Sequence, residues 1–133
     1  VMDMLRISKF TIGFIACSEY ACPDSKERFE VLYNYSPLHN IRLPINESIQ
    51  YPAVLVNTAD HDDRVPPLHS YKYIAELQHT IGNDRRQKNP FLLRVEHNSG
   101  HGSGIPTCKL IDEGTDILSF LSETLGLDFT INE

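Results

Sequence analysis

Apolar residues fall along this chain in two spacings that alternate. Residues 52–58 carry Val54, Leu55 and Val56 in an unbroken run behind Pro52, and residues 91–95 repeat the theme with Phe91, Leu92, Leu93 and Val95. Each run is too short for a helix and rich enough in β-branched or large apolar side chains to predict a buried strand. Between and around them the spacing is helical. Phe29, Leu32 and Tyr33 follow a start at Pro23, with Asp24 or Ser25 as the cap and Glu27 in the first turn, and Ser36-Pro37 stops the run. Ile74, Leu77 and Ile81 stand at i, i+3 and i+7 in a helix over residues 68–82, which Gly82 closes. A last helix opens at Pro106 and Thr107, carries Leu110, Ile111, Gly114, Ile117, Leu118, Leu121 and Leu125 on one face, and ends at Gly126. Residues 4–15 mix β-branched and aromatic side chains and predict a strand or extended loop. Residues 37–51, with Pro37 and Pro44, predict a loop.

The order is helix, strand, loop, helix, strand, loop, helix. Strands alternating with helices imply an α/β fold with parallel strands joined by a right-handed crossover. In such sheets the functional residues gather beyond the carboxyl ends of the strands. Two polar loops occupy that place. One runs Asp60, His61, Asp62, Asp63, Arg64 and is closed by Pro66-Pro67; the other runs from Asn98 to Gly104 around His101.

An acid on one such loop and a histidine on the next is what a hydrolase of the α/β type requires, in the chain order serine, acid, histidine. The histidine takes the nucleophile's proton, and the acid holds the ring in the right tautomer and stabilises the imidazolium. Glycines on both sides of His101 allow loop conformations closed to other residues. Taken singly, an Asp-rich loop is a solvated turn and a lone histidine a surface residue; order and the intervening helix join them. The carboxylates lack the alternating calcium-loop pattern, and no His-Glu-x-x-His occurs, so no metal site is expected. A Gly-x-Ser-x-Gly elbow is absent: Ser103 has Gly102 and Gly104 as direct neighbours instead. The chain is not expected to complete a serine triad alone.

A formal net charge of −6 argues against nucleic acid or an acidic membrane as partner, since phosphate neutralisation needs a basic footprint. No 18-residue apolar run predicts a membrane span, and the opening residues lead to the expectation of no signal peptide. The first residue is Val1, so a removed leader or a partial sequence is expected. Cys17, Cys22 and Cys108 make an odd count without CxxC spacing. The expectation is three reduced thiols in a cytosolic protein, with neither a structural disulfide nor a zinc site.

Several stretches together resemble one family. Val1 to Leu5, the Tyr33-to-Asn40 segment with its Ser36-Pro37-Leu38-His39, Tyr51-Pro52, the run from Thr58 through Asp60-His61-Asp62-Asp63-Arg64-Val65, and Gly100-His101-Gly102 look like the C-terminal catalytic region of prolyl oligopeptidases. The resemblance runs from the first residue to about residue 127. It implies the C-terminal portion of an α/β-hydrolase fold, residues 1–133 forming a partial peptidase catalytic domain without the nucleophile elbow and without the family's β-propeller. It implies a cytoplasmic serine-type endopeptidase that cleaves short peptides after proline and needs no cofactor. Asp62 matches the triad acid and His101 the triad histidine. Arg64 matches the arginine that binds a substrate carbonyl, Val65 a residue lining the proline pocket, and Tyr20 a pocket tyrosine. The implied partners are short proline-containing peptides and the upstream part of the same protein. Two positions depart from the family: Ala16 stands where a tryptophan usually stacks on the substrate proline, and Phe14 where a histidine is usual. The alternative is a catalytically inactive truncated copy, a binding protein or relic that kept both loops after losing the elbow.

Overall fold

The computed structural model describes residues 1–102 and 104–127. At its centre, β1 (Val54–Ala59) and β2 (Phe91–Glu96) run parallel, with Val54 opposite Phe91 and Ala59 opposite Glu96. The crossover between them is α3 (Leu68–Thr80). Side chains alternate across a strand. Val54 and Val56 with Phe91 and Leu93 therefore share one face, and Ile74, Leu77 and Ile81 pack onto it. Leu77 is fully buried and makes this the principal core. The Gln78 side-chain amide adds a bond to the Phe91 carbonyl at 2.9 Å, fixing helix against strand.

The other face carries α4 (Thr107–Leu125). Arg94 on β2 holds it, its Nε 2.7 Å from Asp116 Oδ2, while the same guanidinium lies 3.0 Å from Glu96. The apolar set foreseen on this helix is corrected: of its seven members only Gly114 and Ile117 are half-buried, and the face turned to the sheet includes Phe120 and Thr124 instead. Ile117, Phe120 and Thr124 are half-buried toward the sheet, whereas Ile111, Leu118, Leu121 and Leu125 are exposed. Gly126 takes a left-handed φ of 64° and closes the helix. Among the described residues no helix is long and apolar enough to cross a membrane. The order of elements and the parallel pair are those of a portion of an α/β fold, as the periodicities imply.

The helix predicted after Pro23 is α2 (Lys26–Tyr35), and Ser25 is its cap, accepting from the Arg28 N–H at 3.3 Å. The prediction for residues 4–15 is corrected. They form short 3-10 turns, Ile7–Lys9 and Thr11–Ala16, and run into a single helical turn, α1 (Cys17–Tyr20). Their backbone donors bond three residues back, Lys9 to Arg6 at 2.9 Å and Gly13 to Phe10 at 2.8 Å, so no ladder partner is needed. β-propensity yields here to tertiary anchoring. Asp3 is fully buried and bonded to Lys72 and, at 3.1 Å, to Arg6, and its N–H donates to His69 Nδ1 at 3.3 Å. A Cβ on Gly13 would meet the Ile7 carbonyl oxygen at 1.9 Å, so the tight turn requires glycine.

The cysteine expectation is also corrected. Cys17 and Cys22 form a disulfide, their Cα atoms 4.8 Å apart, and Cys108 remains free and exposed. One helical turn followed by a reversal at Ala21 brings the two Cα atoms within ordinary bridging distance. An odd count concealed one pair and one single. Ala21 pivots this reversal at φ 69° and ψ 162°, a region that non-glycine residues enter at a cost of about 1–3 kcal/mol.

Candidate active site

Because the strands are parallel, Ala59 and Glu96 end at the same edge of the sheet, and the two polar loops rise side by side. Asp62 and His101 meet between them. His101 Nδ1 lies 2.8 Å from Asp62 Oδ2. The other carboxylate oxygen, Oδ1, accepts the backbone N–H groups of Arg64 and Val65, each at 2.9 Å. Burial pushes the Asp62 carboxyl up. The Val65 N–H, the His101 ring and the Arg64 N–H outweigh it and hold the group below the usual carboxylate range. Asp62 is thus a fixed anion with both oxygens committed. With Nδ1 engaged by a carboxylate, His101 keeps its second nitrogen, Nε2, to accept a proton from an approaching group. The ring is 42% exposed against 11% for the Asp62 side chain, so the carboxylate is sheltered and the imidazole is open. The pair lines a cavity of about 210 Å³ with Gly100, Gly102 and Ile105. Of the two glycines beside His101, only Gly102 takes a left-handed φ, at 74°. Ser103 lies outside the described residues.

Arg64 and Tyr20 come together in a second cavity of about 220 Å³, with Ala16, Ile15, Phe10 and His69 in the same wall. Its lining is mostly apolar, with the Arg64 guanidinium, the Tyr20 phenol and the Glu19 carboxylate as polar groups. His69 is buried, its ring edge-on to Phe10 with centroids 6.3 Å apart. Burial lowers its pKa below the ordinary histidine value, and Nδ1 is already taken by the Asp3 N–H. Val65 is half-buried and joins the site through its backbone bond to Asp62; its side chain is outside the lining of the cavity shared by Arg64 and Tyr20.

Two contributors escaped the sequence reading. Asp60 straps the loops together: Oδ1 lies 2.6 Å from His61 Nδ1 and 3.3 Å from the Ser99 N–H, and Oδ2 lies 3.2 Å from His97 Nδ1. The His61 contact above all holds its carboxyl far below the usual range, against a smaller burial effect. Lys109 on α4 pins the second loop from beneath, bonding the His97 carbonyl and, at 3.1 Å each, Ser99 Oγ and Glu96 Oε1. Asp60 was visible only as one of three neighbouring carboxylates, and its task follows from the register that sets His97 beside it.

The structure thus brings Asp62 and His101 together at the sheet edge and sets Arg64 with Tyr20 in a neighbouring cavity. The sequence model described as the Prolyl oligopeptidase family matches residues 1–128. The chain belongs to the prolyl oligopeptidase family. Within it, the chain is 45% identical over 127 residues to a prolyl oligopeptidase of Dendrothele bispora, the match covering 96% of this chain and 16% of the relative. A prolyl endopeptidase of Dictyostelium discoideum matches with the same identity and the same coverage, 45% over 127 residues, 96% and 16%. Among solved structures, prolyl oligopeptidase B from Galerina marginata bound to a 35mer hydrolysis and macrocyclization substrate is similar with TM-score 0.84 and 37% identity, over 97% of this chain and 17% of that one. The sheet, its helices and the two loops are accordingly those of a prolyl oligopeptidase α/β-hydrolase domain. The chain spans about a sixth of the length of the family members it matches.

Proposed function

We propose that this chain is the C-terminal part of the catalytic domain of a serine-type endopeptidase that cleaves short peptides after proline. The observation that carries the reading is the Asp62–His101 contact at 2.8 Å, with the second Asp62 oxygen bonded to two backbone N–H groups. Such an arrangement holds the ring in the tautomer and orientation that a base serving a nucleophile needs. His101 is the general base and then the acid, and Asp62 orients it. The serine and the β-propeller lie in the remainder of the same protein, consistent with a match covering 16% of the prolyl oligopeptidase relatives.

Arg64, with its rigid fork of donors, binds a substrate carbonyl. Tyr20 lines the pocket for the proline ring, and Val65, outside that lining, contributes its backbone N–H to Asp62. Ala16, which shares that cavity, leaves open space where the family's tryptophan would stack, so proline is held by a shallower surface. Proline preference is therefore expected to be weaker than in relatives with the tryptophan. We further place the protein in the cytoplasm, although a bridge such as Cys17–Cys22 is more usual in oxidising compartments.

The test is to incubate the full-length protein carrying this chain with short defined peptides, with and without an internal proline, and map the cut bonds by mass spectrometry. Cuts on the carboxyl side of proline support the reading. Cuts spread over unrelated bonds contradict the specificity, and no cut in any peptide contradicts the peptidase itself, leaving a binding protein or relic.

A further inference from the structure

We propose that the Cys17–Cys22 disulfide is a positioning element for substrate binding, holding Tyr20 in the wall of the cavity that Arg64 also lines, and that reducing it weakens peptide binding. The inference rests on the reading of that cavity as the substrate pocket. Its starting point is the position of the bridge. Cys17 and Cys22 are five residues apart in sequence and enclose Ser18, Glu19, Tyr20 and Ala21. Ala16, Glu19 and Tyr20 line the cavity, so the disulfide closes around the segment that builds one of its walls.

Among the described residues the Tyr20 hydroxyl has no hydrogen bond and its ring no aromatic partner, and half of the residue is exposed. The backbone next to it is strained: Ala21 holds φ 69° and ψ 162°, where a side chain with a Cβ does not rest unless its surroundings impose the conformation. The bridge, with one end directly after Ala21, imposes it. Once the bridge opens, Ala21 is free to return to negative φ, and Tyr20, the last residue of α1, loses the tie that fixes its end of the cavity wall. Asp62 and His101 stand on other loops, tied by Asp60 and Lys109, and do not depend on this segment.

The chemistry is a two-electron reduction. A dithiol reductant gives two electrons and two protons, the Sγ–Sγ bond breaks, Cys17 and Cys22 each become thiols, and the reductant closes its own disulfide. Both residues are half-buried, so a small reductant reaches them.

The experiment uses the full-length protein with His101→Ala, so that bound peptide is not turned over, and a fluorescent proline-containing peptide read by polarisation before and after dithiothreitol. Thiol labelling with mass spectrometry reports the state of Cys17 and Cys22. The expected result is affinity weakened about tenfold on reduction, the scale of one well-placed aromatic contact. Cys17→Ser/Cys22→Ser should match the reduced value and ignore the reductant, and Tyr20→Ala should also abolish the response. In the active protein, reduction should raise KM and leave kcat within about twofold, a split that a merely structural bridge would not produce. Equal affinity in both states, with the bridge confirmed open after reduction, overturns the proposal and leaves the peptidase reading intact. Unbridged Cys17 and Cys22 in the oxidised protein overturn it as well. Absence of peptide binding in either state overturns the pocket assignment and this inference with it.

Discussion

His101 and Asp62 are 39 residues apart in sequence, yet the ring nitrogen and the carboxylate meet at 2.8 Å. The meeting is a product of parallel strands: both loops leave the same sheet edge, and the crossover through α3 returns the chain beside its starting point. Two backbone N–H groups from the residues just after Asp62 finish the carboxylate, so the loop that supplies the acid also orients it. Orientation, rather than proton transfer to the acid, is the work such a carboxylate does.

Asp60 holds that geometry from outside. Its carboxylate bonds His61 on its own loop, and His97 and the Ser99 N–H on the other. Replacing it by Asn keeps the shape but removes the charge that gathers two rings and a backbone donor. Asp60→Asn in the full-length protein should lower kcat by about 10- to 100-fold with a smaller change in KM, because small misplacements of a catalytic pair are costly. Steady-state kinetics on a chromogenic proline peptide would reveal this; unchanged kcat would remove Asp60 from the positioning of the loops.

Arg64 differs from Lys in geometry more than in charge. A lysine cannot reproduce the planar fork, so Arg64→Lys should raise KM by about tenfold or more at unchanged peptide specificity. Measuring kcat and KM separately decides it, and a normal KM would show that Arg64 does not touch substrate.

Stability resides in the α3–sheet core. Leu77 has 0% exposure and packs among Val56, Ile74, Ile81 and Phe91. Leu77→Ala leaves a cavity and should cost about 2–5 kcal/mol. Urea unfolding would register the loss as a lower midpoint, and a change below about 1 kcal/mol would mean that this cluster is not the core.

Acid sensitivity has a definite sign. The Arg86 guanidinium pulls Asp84 down to about 2 from an ordinary value of 3.8, with the Arg86 N–H acting in the same direction. A carboxyl whose folded pKa is depressed contributes stability that is complete above its unfolded value and lost as pH falls through the folded one. Asp62, also lowered, acts in the same sense. Asp84→Asn should therefore flatten the fall in melting temperature between about pH 4 and pH 2 while changing its slope little above pH 5. An identical slope in mutant and parent would exclude the Asp84–Arg86 contact as a source.

Much of the scaffold was legible from periodicity, for reasons that are local. The β1 and β2 runs, the Ile74–Leu77–Ile81 spacing and the Ser25 cap each act within a few residues, so neighbours in sequence carry the whole signal. What escaped depends on residues far apart. The turns over residues 7–16 defeat β-propensity because Asp3, Lys72 and His69 anchor that segment from another part of the chain. The Cys17–Cys22 bridge depends on the backbone reversal at Ala21, which no spacing rule announces. Composition presented Asp60, Asp62 and Asp63 as equivalent carboxylates; the family resemblance singled out Asp62, and strand register separates Asp60 from the other two. On α4 the helix was legible but its buried face was not: Phe120 and Thr124 turn to the sheet while most of the foreseen apolar set is exposed, a choice set by packing that the pattern does not contain.

The most direct test of the Asp62–His101 pair as working catalytic machinery is the turnover of the full-length protein with Asp62→Asn, measured on a short blocked peptide with a chromogenic group after proline. If Asp62 fixes the tautomer and orientation of His101, kcat should fall by on the order of 10⁴, with little change in folding. A loss of less than about tenfold would contradict the triad role and return Asp62 to the status of a structural loop residue.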